Sequence, residues 1–396
     1  MKHIRLTALA LAVLAGPAFA APPEQVAQAA LKAAPVWDGH NDVPEQLRDR
    51  RRNLLDGFDF TDTRGTAEPA KNLIAMQTDL QRLRQGKVGA QFWSVYVPAS
   101  LPEPQAIQAT LEQIDTAKRL VARYPGELML ATSSADVERA MKLGKIASLI
   151  GMEGGHSIGG SLAVLRQMHA LGARYMTLTH SKTNAWADSG TDKPVHNGLT
   201  DFGRTVVREM QRLGMLVDLS HVSEKTMLDT LDIAGAPVIF SHSNARALNG
   251  HPRNVPDAVL ARLKANGGIV MVNAYPPYVT QATWQWNARR AAEKGRLEVV
   301  FNGNPDGAAA ALAAWDNANP VPGGSVADVA DHIDHIRTVA GIDAVGLGGD
   351  YDGIEFAVKG MEDVSTYPAL FTELARRGWT QAELEKLSSR NMMRVL

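Results

Sequence analysis

The sequence predicts a (β/α)8 barrel of the TIM type, an α/β fold whose working site lies at the C-terminal face of its strands. Three observations lead there. Eight short, nearly continuous apolar runs recur along the chain, amphipathic stretches separate them, and six of the eight runs end in a His, Asp or Glu. The runs cover residues 36–40, 90–97, 146–153, 175–180, 214–221, 237–242, 268–275 and 344–350. Strands covered on both faces lose the alternation of a half-exposed sheet and read this way. The stretches between them, notably 105–123, 162–170, 201–212, 223–233 and 326–340, carry helical periodicity, and such alternation implies βα units around a parallel sheet.

The six terminal residues are His40, Glu153, His180, His221, His242 and Asp350. Scattered through a core, each would need its own partner to offset the cost of burial. Gathered at the C-terminal face of a barrel, they share one site.

Length alone allows two domains, but a barrel of ~250 residues with insertions also fits. We therefore expect a single catalytic domain over 21–396. Its insertion at about 276–324 holds Trp284, Trp286 and the alanine-rich run 308–314. A connection of that length is read as a partly helical element over the barrel mouth. A short helix is expected over 22–34 and an irregular loop over 52–70.

Residues 1–20 read as a signal peptide. Lys2 and Arg5 precede an apolar stretch, and Ala18, Phe19 and Ala20 form the cleavage site. The apolar stretch falls short of the ~20 residues of a spanning helix. The expectation is a secreted protein of a bacterial periplasm, with no stable membrane anchor once the leader is removed. The chain has no cysteine, which excludes disulfides, thiolate metal ligands and a cysteine nucleophile. Formal charge is −1 with no long basic run, which argues against nucleic acid as a partner. A homodimer is left open.

His40 and Asp42 stand two apart, so an extended chain would project both to one side, where they could chelate one ion. Glu153 is followed by two glycines, and its two oxygens can bridge two cations. His221 and His242 each follow a serine, at the ends of the fifth and sixth runs. Imidazole and carboxylate donors without thiolate suit zinc, manganese, iron or cobalt.

Seven motifs then occur in order: Asp-Gly-His-Asn-Asp from Asp38, Glu-Gly-Gly-His from Glu153, Leu-Thr-His ending at His180, Asp-Leu-Ser-His ending at His221, Ser-His-Ser around His242, Arg-Asn-Val-Pro-Asp from Arg253, and Gly-Gly-Asp-Tyr-Asp-Gly ending at Gly353. From about Val36 to the C-terminus the chain resembles the membrane (renal) dipeptidase family of the amidohydrolase-type barrels. The resemblance implies hydrolysis of dipeptides by a hydroxide shared between two zinc ions per chain. It assigns His40 and Asp42 to one ion, His221 and His242 to the other, and Glu153 to both. It makes His180 a stabiliser of the developing oxyanion and Asp350 the carboxylate that carries a proton to the leaving amine. It makes Arg253 the anchor of the substrate carboxylate, with Tyr278 as its partner and Tyr275 a near neighbour in sequence. Asp352 is read as a turn residue. The connection between Tyr278 and Asp331 is longer than in the family's mammalian members, so the fit at the mouth does not carry over.

Two other functions compete. A deaminase or lactonase on the same barrel would commonly show a His-x-His pair on the first strand, against His40-x-Asp42 here. A non-catalytic periplasmic peptide- or metal-binding protein would have no use for both His180 and Asp350.

Overall fold

The computed structural model describes residues 21–71 and 73–396; the leader expected over 1–20 lies outside them. Nine strands form one parallel sheet: β1 (Val36–Asn41), β2 (Val88–Tyr96), β3 (Leu128–Leu130), β4 (Ile146–Glu153), β5 (Ala173–Thr177), β6 (Leu216–Asp218), β7 (Ile239–Phe240), β8 (Ile269–Val272) and β9 (Val345–Leu347). Eight of them close into a barrel in the order β1-β2-β4-β5-β6-β7-β8-β9, with β9 returning to β1. The predicted barrel is what forms, and each of the eight expected runs contributes one of its strands.

The ninth strand, β3, was not expected. Its three residues pair with Ile146–Ser148, while β5 pairs with the later part of β4 on the same edge. A wedge of extended chain therefore sits at the foot of the barrel, too short to give a periodic signal of its own.

Two apolar layers hold the barrel. One cluster gathers Trp37, Ala90, Phe92, Ala147, Leu149, Tyr175, Ile239, Ile269 and Met271, at alternate strand positions. Trp37, Phe92 and Tyr175 pack in sequence as tilted ring pairs, with centroids 6.0 and 4.8 Å apart. Gly151 makes room for Tyr175, since a Cβ there would fall inside its ring. The intervening strand residues, such as Val36, Val88, Val95, Ile150 and Met176, belong to the larger cluster shared with the helices. A packed interior of large side chains is the usual content of such barrels.

The helices start where the sequence supplies caps. Ser161, Thr200 and Ser223 each accept a backbone N–H of the first turn from helices Leu162–Ala170, Asp201–Leu213 and Glu224–Ile233. In Asp201–Leu213 the buried set Gly203, Val206, Val207 and Met210 follows the 3–4–7 spacing of one face. Residues 23–33 are helical. The helix Val43–Arg51, directly after β1, was not foreseen; Pro44 stands in its first turn, where a missing N–H costs little.

The long connection after β8 is almost wholly helical, with segments Pro276–Val279, Gln281–Val300 and Pro305–Ala318. The last two form a hairpin joined by Trp286 against Trp315 and by a two-pronged Arg290–Asp316 pair at 2.7 and 2.8 Å. Among the described residues no helix is long and apolar enough to cross a membrane.

Candidate metal centre

The strand ends bring their ionisable residues to one point. His221 Nε2 lies 2.9 Å from Glu153 Oε1, His242 Nε2 3.4 Å and His180 Nε2 3.8 Å from the same oxygen. On the other side, His40 Nε2 is 3.6 Å from Glu153 Oε2 and 3.2 Å from Asp42 Oδ2. The donor atoms lie within 4.8 Å of one another in each of three groups: those of His40, Glu153 and His242, those of Glu153, His180 and His221, and those of His40, Asp42 and Asp350. Glu153 thus stands between two sets of donors.

Each residue arrives by its own route. His40 belongs to β1 itself. Asp42 has already left the strand, with φ −100° and ψ 26° as the residue before helix Val43–Arg51. The extended chain expected to align the pair is therefore replaced by a strand end turning into a helix, and the two still meet. His221 and Asp350 adopt left-handed backbone conformations, φ 68° and 65°. That region is costly for residues with a Cβ and recurs where a side chain must be aimed at a site. Gly353 is needed nearby, because a Cβ there would collide with Asp42 Oδ2.

Hydrogen bonds on the far side fix two of the four imidazoles, His40 and His242, whereas Nδ1 of His180 and of His221 has no partner among the described residues. His40 Nδ1 is 2.8 Å from Tyr175 Oη. His242 Nδ1 is 2.8 Å from Ser241 Oγ, which donates to Asp218 Oδ2 at 2.7 Å. Asp218 also accepts from Thr177 Oγ1 and from the backbone of Ser220 and Ser241. Nδ1–H is the donor in both histidines if Nε2 presents a lone pair inward, an arrangement common behind metal ligands.

Burial would raise the Glu153 carboxyl, but His40, His180, His221 and His242 around it hold it well below the usual range. Burial lowers His221 and His242 well below the ordinary imidazole value, aided by Arg253 and His40. His180 falls to about 4, chiefly by burial. Burial raises Asp350 well above the carboxylate range, and Asp42 and Glu153 add to it. His180, His221 and His242 are thus neutral donors beside an ionised carboxylate, whereas His40, despite its burial, is held well above the ordinary imidazole value by Tyr175, Asp42 and Glu153. His40 Nε2 and Asp42 Oδ1 are buried without a hydrogen-bond partner, as suits atoms that would ligate a cation. The donor set fits a divalent metal of the zinc class.

A cavity of about 280 Å³ opens over this cluster, bounded also by Glu45, Tyr96, Arg253, Tyr275, Tyr278 and Glu355. Arg253 is 2% exposed. Its guanidinium donates to Ser243 Oγ and His242 O and lies 5.2 Å from the Tyr278 ring centroid, while its Nε has no partner. Tyr275 packs edge-on against Tyr278 and also lines the cavity, so both tyrosines reach the mouth. Asp352 stays outside: its Oδ1 accepts from Gln77 N, a bond within the loop scaffold.

The insertion reaches the cavity only at its root. Its hairpin supplies none of the lining residues, although Trp284 packs against His251, whose ring also meets Tyr278. The expected cover over the mouth is thus a brace beside it. Sequence reasoning missed Tyr175, Asp218, Ser241, Glu45 and Tyr96 as parts of the site. Asp218 and Ser241 fall inside quoted motifs, but only the folded chain reveals whom they touch.

The family model described as "Membrane dipeptidase (Peptidase family M19)" matches residues 24–396. Dipeptidase 3 of Mus musculus and that of Rattus norvegicus are each 42% identical over 374 residues, 93% of this chain. The alignments take in 65 and 66% of those relatives, so the chain spans just under two thirds of their length. Among solved structures, the probable dipeptidase PvdM from Pseudomonas aeruginosa superposes with a TM-score of 0.77 at 23% identity, over 94% of this chain and 97% of that one. That likeness speaks for the fold.

Proposed function

Because the chain belongs to the membrane dipeptidase family, peptidase family M19, we propose that it is a zinc-dependent dipeptidase. The observation that carries this reading is the pairing of a carboxylate ringed by four imidazoles with a buried guanidinium opening into the same cavity.

In this reading His40 and Asp42 hold one ion, His221 and His242 hold a second, and Glu153 serves both. Two such ions, when bound, would polarise the scissile carbonyl and bring a water's pKa towards neutrality. The remaining work falls to the chain. Arg253 grips the substrate's C-terminal carboxylate with its planar fork, and Tyr278 closes over it. His180, beside Glu153 and against the Tyr96 ring at 4.6 Å, donates to the carbonyl oxygen as charge develops there. Asp350 holds the proton taken from water and passes it to the departing amine.

Export belongs to the same proposal: cleavage after Ala20 would release the barrel into a periplasm. Mass spectrometry of the native protein should find Ala21 as its first residue, and an intact Met1 would refute it.

The direct test is hydrolysis by zinc-loaded protein of a dipeptide library, with tripeptides and lactones for comparison. Dipeptides should be cleaved and the others spared. Preferential lactone opening would place the chain among the other barrel hydrolases.

A further inference from the structure

Five carboxylates line the cavity: Asp42, Glu45, Glu153, Asp350 and Glu355. The proposed chemistry engages three. Glu45 is the best placed of the other two. It stands in the first turn of helix Val43–Arg51, three residues beyond Asp42, with its side chain 21% exposed. Its Oε1 accepts from Arg48 at 3.2 Å, and its Oε2 has no hydrogen-bond partner among the described residues.

Arg48 is itself held. It donates to Tyr96 O at 2.6 Å and to Asp49 Oδ1 at 2.8 Å, and its guanidinium lies 5.6 Å from the Tyr96 ring centroid. Glu45 and Tyr96 are thereby fixed side by side as one wall, an aromatic face ending in a carboxylate.

The strand order gives that wall its meaning. Tyr96 ends β2, and Arg253 sits in the loop after β7, four strands away in either direction round the barrel. The Glu153 cluster lies between them. A dipeptide with its carboxylate on Arg253 and its scissile carbonyl over the cluster must extend its N-terminal residue towards Tyr96 and Glu45. The α-ammonium is only two bonds from the scissile carbon, so it stays near Asp42 and Asp350. The side chain is the part that can travel on to Glu45.

We propose that Glu45 is a specificity-determining residue, selecting dipeptides whose N-terminal residue carries a cationic side chain, lysine or arginine. The inference rests on the dipeptidase reading. The methylenes of such a side chain lie along the Tyr96 ring, and its charged end meets the open oxygen of Glu45. Burial and the nearby Asp42 raise that carboxyl to about 9, and a cation arriving beside it favours the ionised form that makes the contact.

The test compares kcat/KM for Lys-Ala, Leu-Ala and Glu-Ala in zinc-loaded wild type, Glu45→Gln and Glu45→Lys. Wild type should favour Lys-Ala over Leu-Ala by roughly tenfold or more, the order expected of one charge-assisted contact. Glu45→Gln should bring that ratio close to one. Glu45→Lys should favour Glu-Ala over Lys-Ala, a reversal that a purely structural role for Glu45 would not produce. A wild-type ratio near one, or an equal loss on all three substrates in Glu45→Gln, overturns the assignment while leaving the dipeptidase reading intact. If metal-loaded wild type cleaves none of the three, the dipeptidase reading fails and this inference with it.

Discussion

His242 is tied to Asp218 through a single hydroxyl, that of Ser241, with contacts of 2.8 and 2.7 Å. Asp218 is fully buried and accepts four hydrogen bonds, so Ser241 donates to it and receives from His242. The imidazole is held in the tautomer that leaves Nε2 free. Ser241→Ala should weaken metal retention by roughly 10- to 100-fold, the usual effect of losing such a partner. Competition against a chromophoric chelator measures it, with the melting temperature of metal-free protein as the control for folding. Unaltered affinity would mean that the hydroxyl orients nothing.

Glu153 faces both donor sets, whereas His40 serves one. Elemental analysis of protein purified without chelator should give close to two divalent ions per chain. Glu153→Ala should retain less metal than His40→Ala. Equal retention in the two variants would argue against a bridge.

Arg253→Ala removes the proposed carboxylate anchor and leaves the donor cluster in place. We expect kcat/KM for a dipeptide to fall by roughly ten- to a hundredfold, about 1.5–3 kcal/mol. The advantage of a dipeptide over its C-terminal amide should shrink as well. Wild type cleaving both equally, or a mutant with full discrimination, would assign the anchor elsewhere.

His332 gives a pH dependence that needs no metal. Ala245 N–H donates to its Nδ1 at 3.0 Å, and its Nε2–H donates to Val279 O at 2.8 Å. Both nitrogens are engaged only in the neutral ring, and burial lowers the group to about 4. The unfolded chain takes up this proton near pH 6.5. Stability from His332 is therefore present above about pH 6.5 and is lost as pH falls towards 4, by up to about 3 kcal/mol. Denaturant titrations in chelator, comparing wild type with His332→Gln, should show the steeper acid loss in wild type. Parallel curves would contradict it.

Much of this was legible in the chain because a barrel collects its polar residues at strand ends. His40, Glu153, His180, His221, His242 and Asp350 could be read as one site from that placement. What escaped was what the strands do not announce. The bond between Tyr175 and His40 spans 135 residues, and no local pattern reports it. Glu45 looks like any surface acid at a helix start until Arg48 and Tyr96 are seen to hold it at the mouth. β3 is three residues long, and the hairpin's distance from the cavity depends on packing against the loop that bears Arg253.

That hairpin stands on two threonine hydroxyls, Thr280 and Thr283, which both donate to Gly323 O. Its outer helix, Pro305–Ala318, buries no residue, and Val299 and Val300 at its bend are 77 and 62% exposed. The bend around 301–304 is thus a natural port for engineering. A fluorescent domain or an affinity tag spliced there would ride on a stalk anchored at its foot, leaving Tyr278 where it stands.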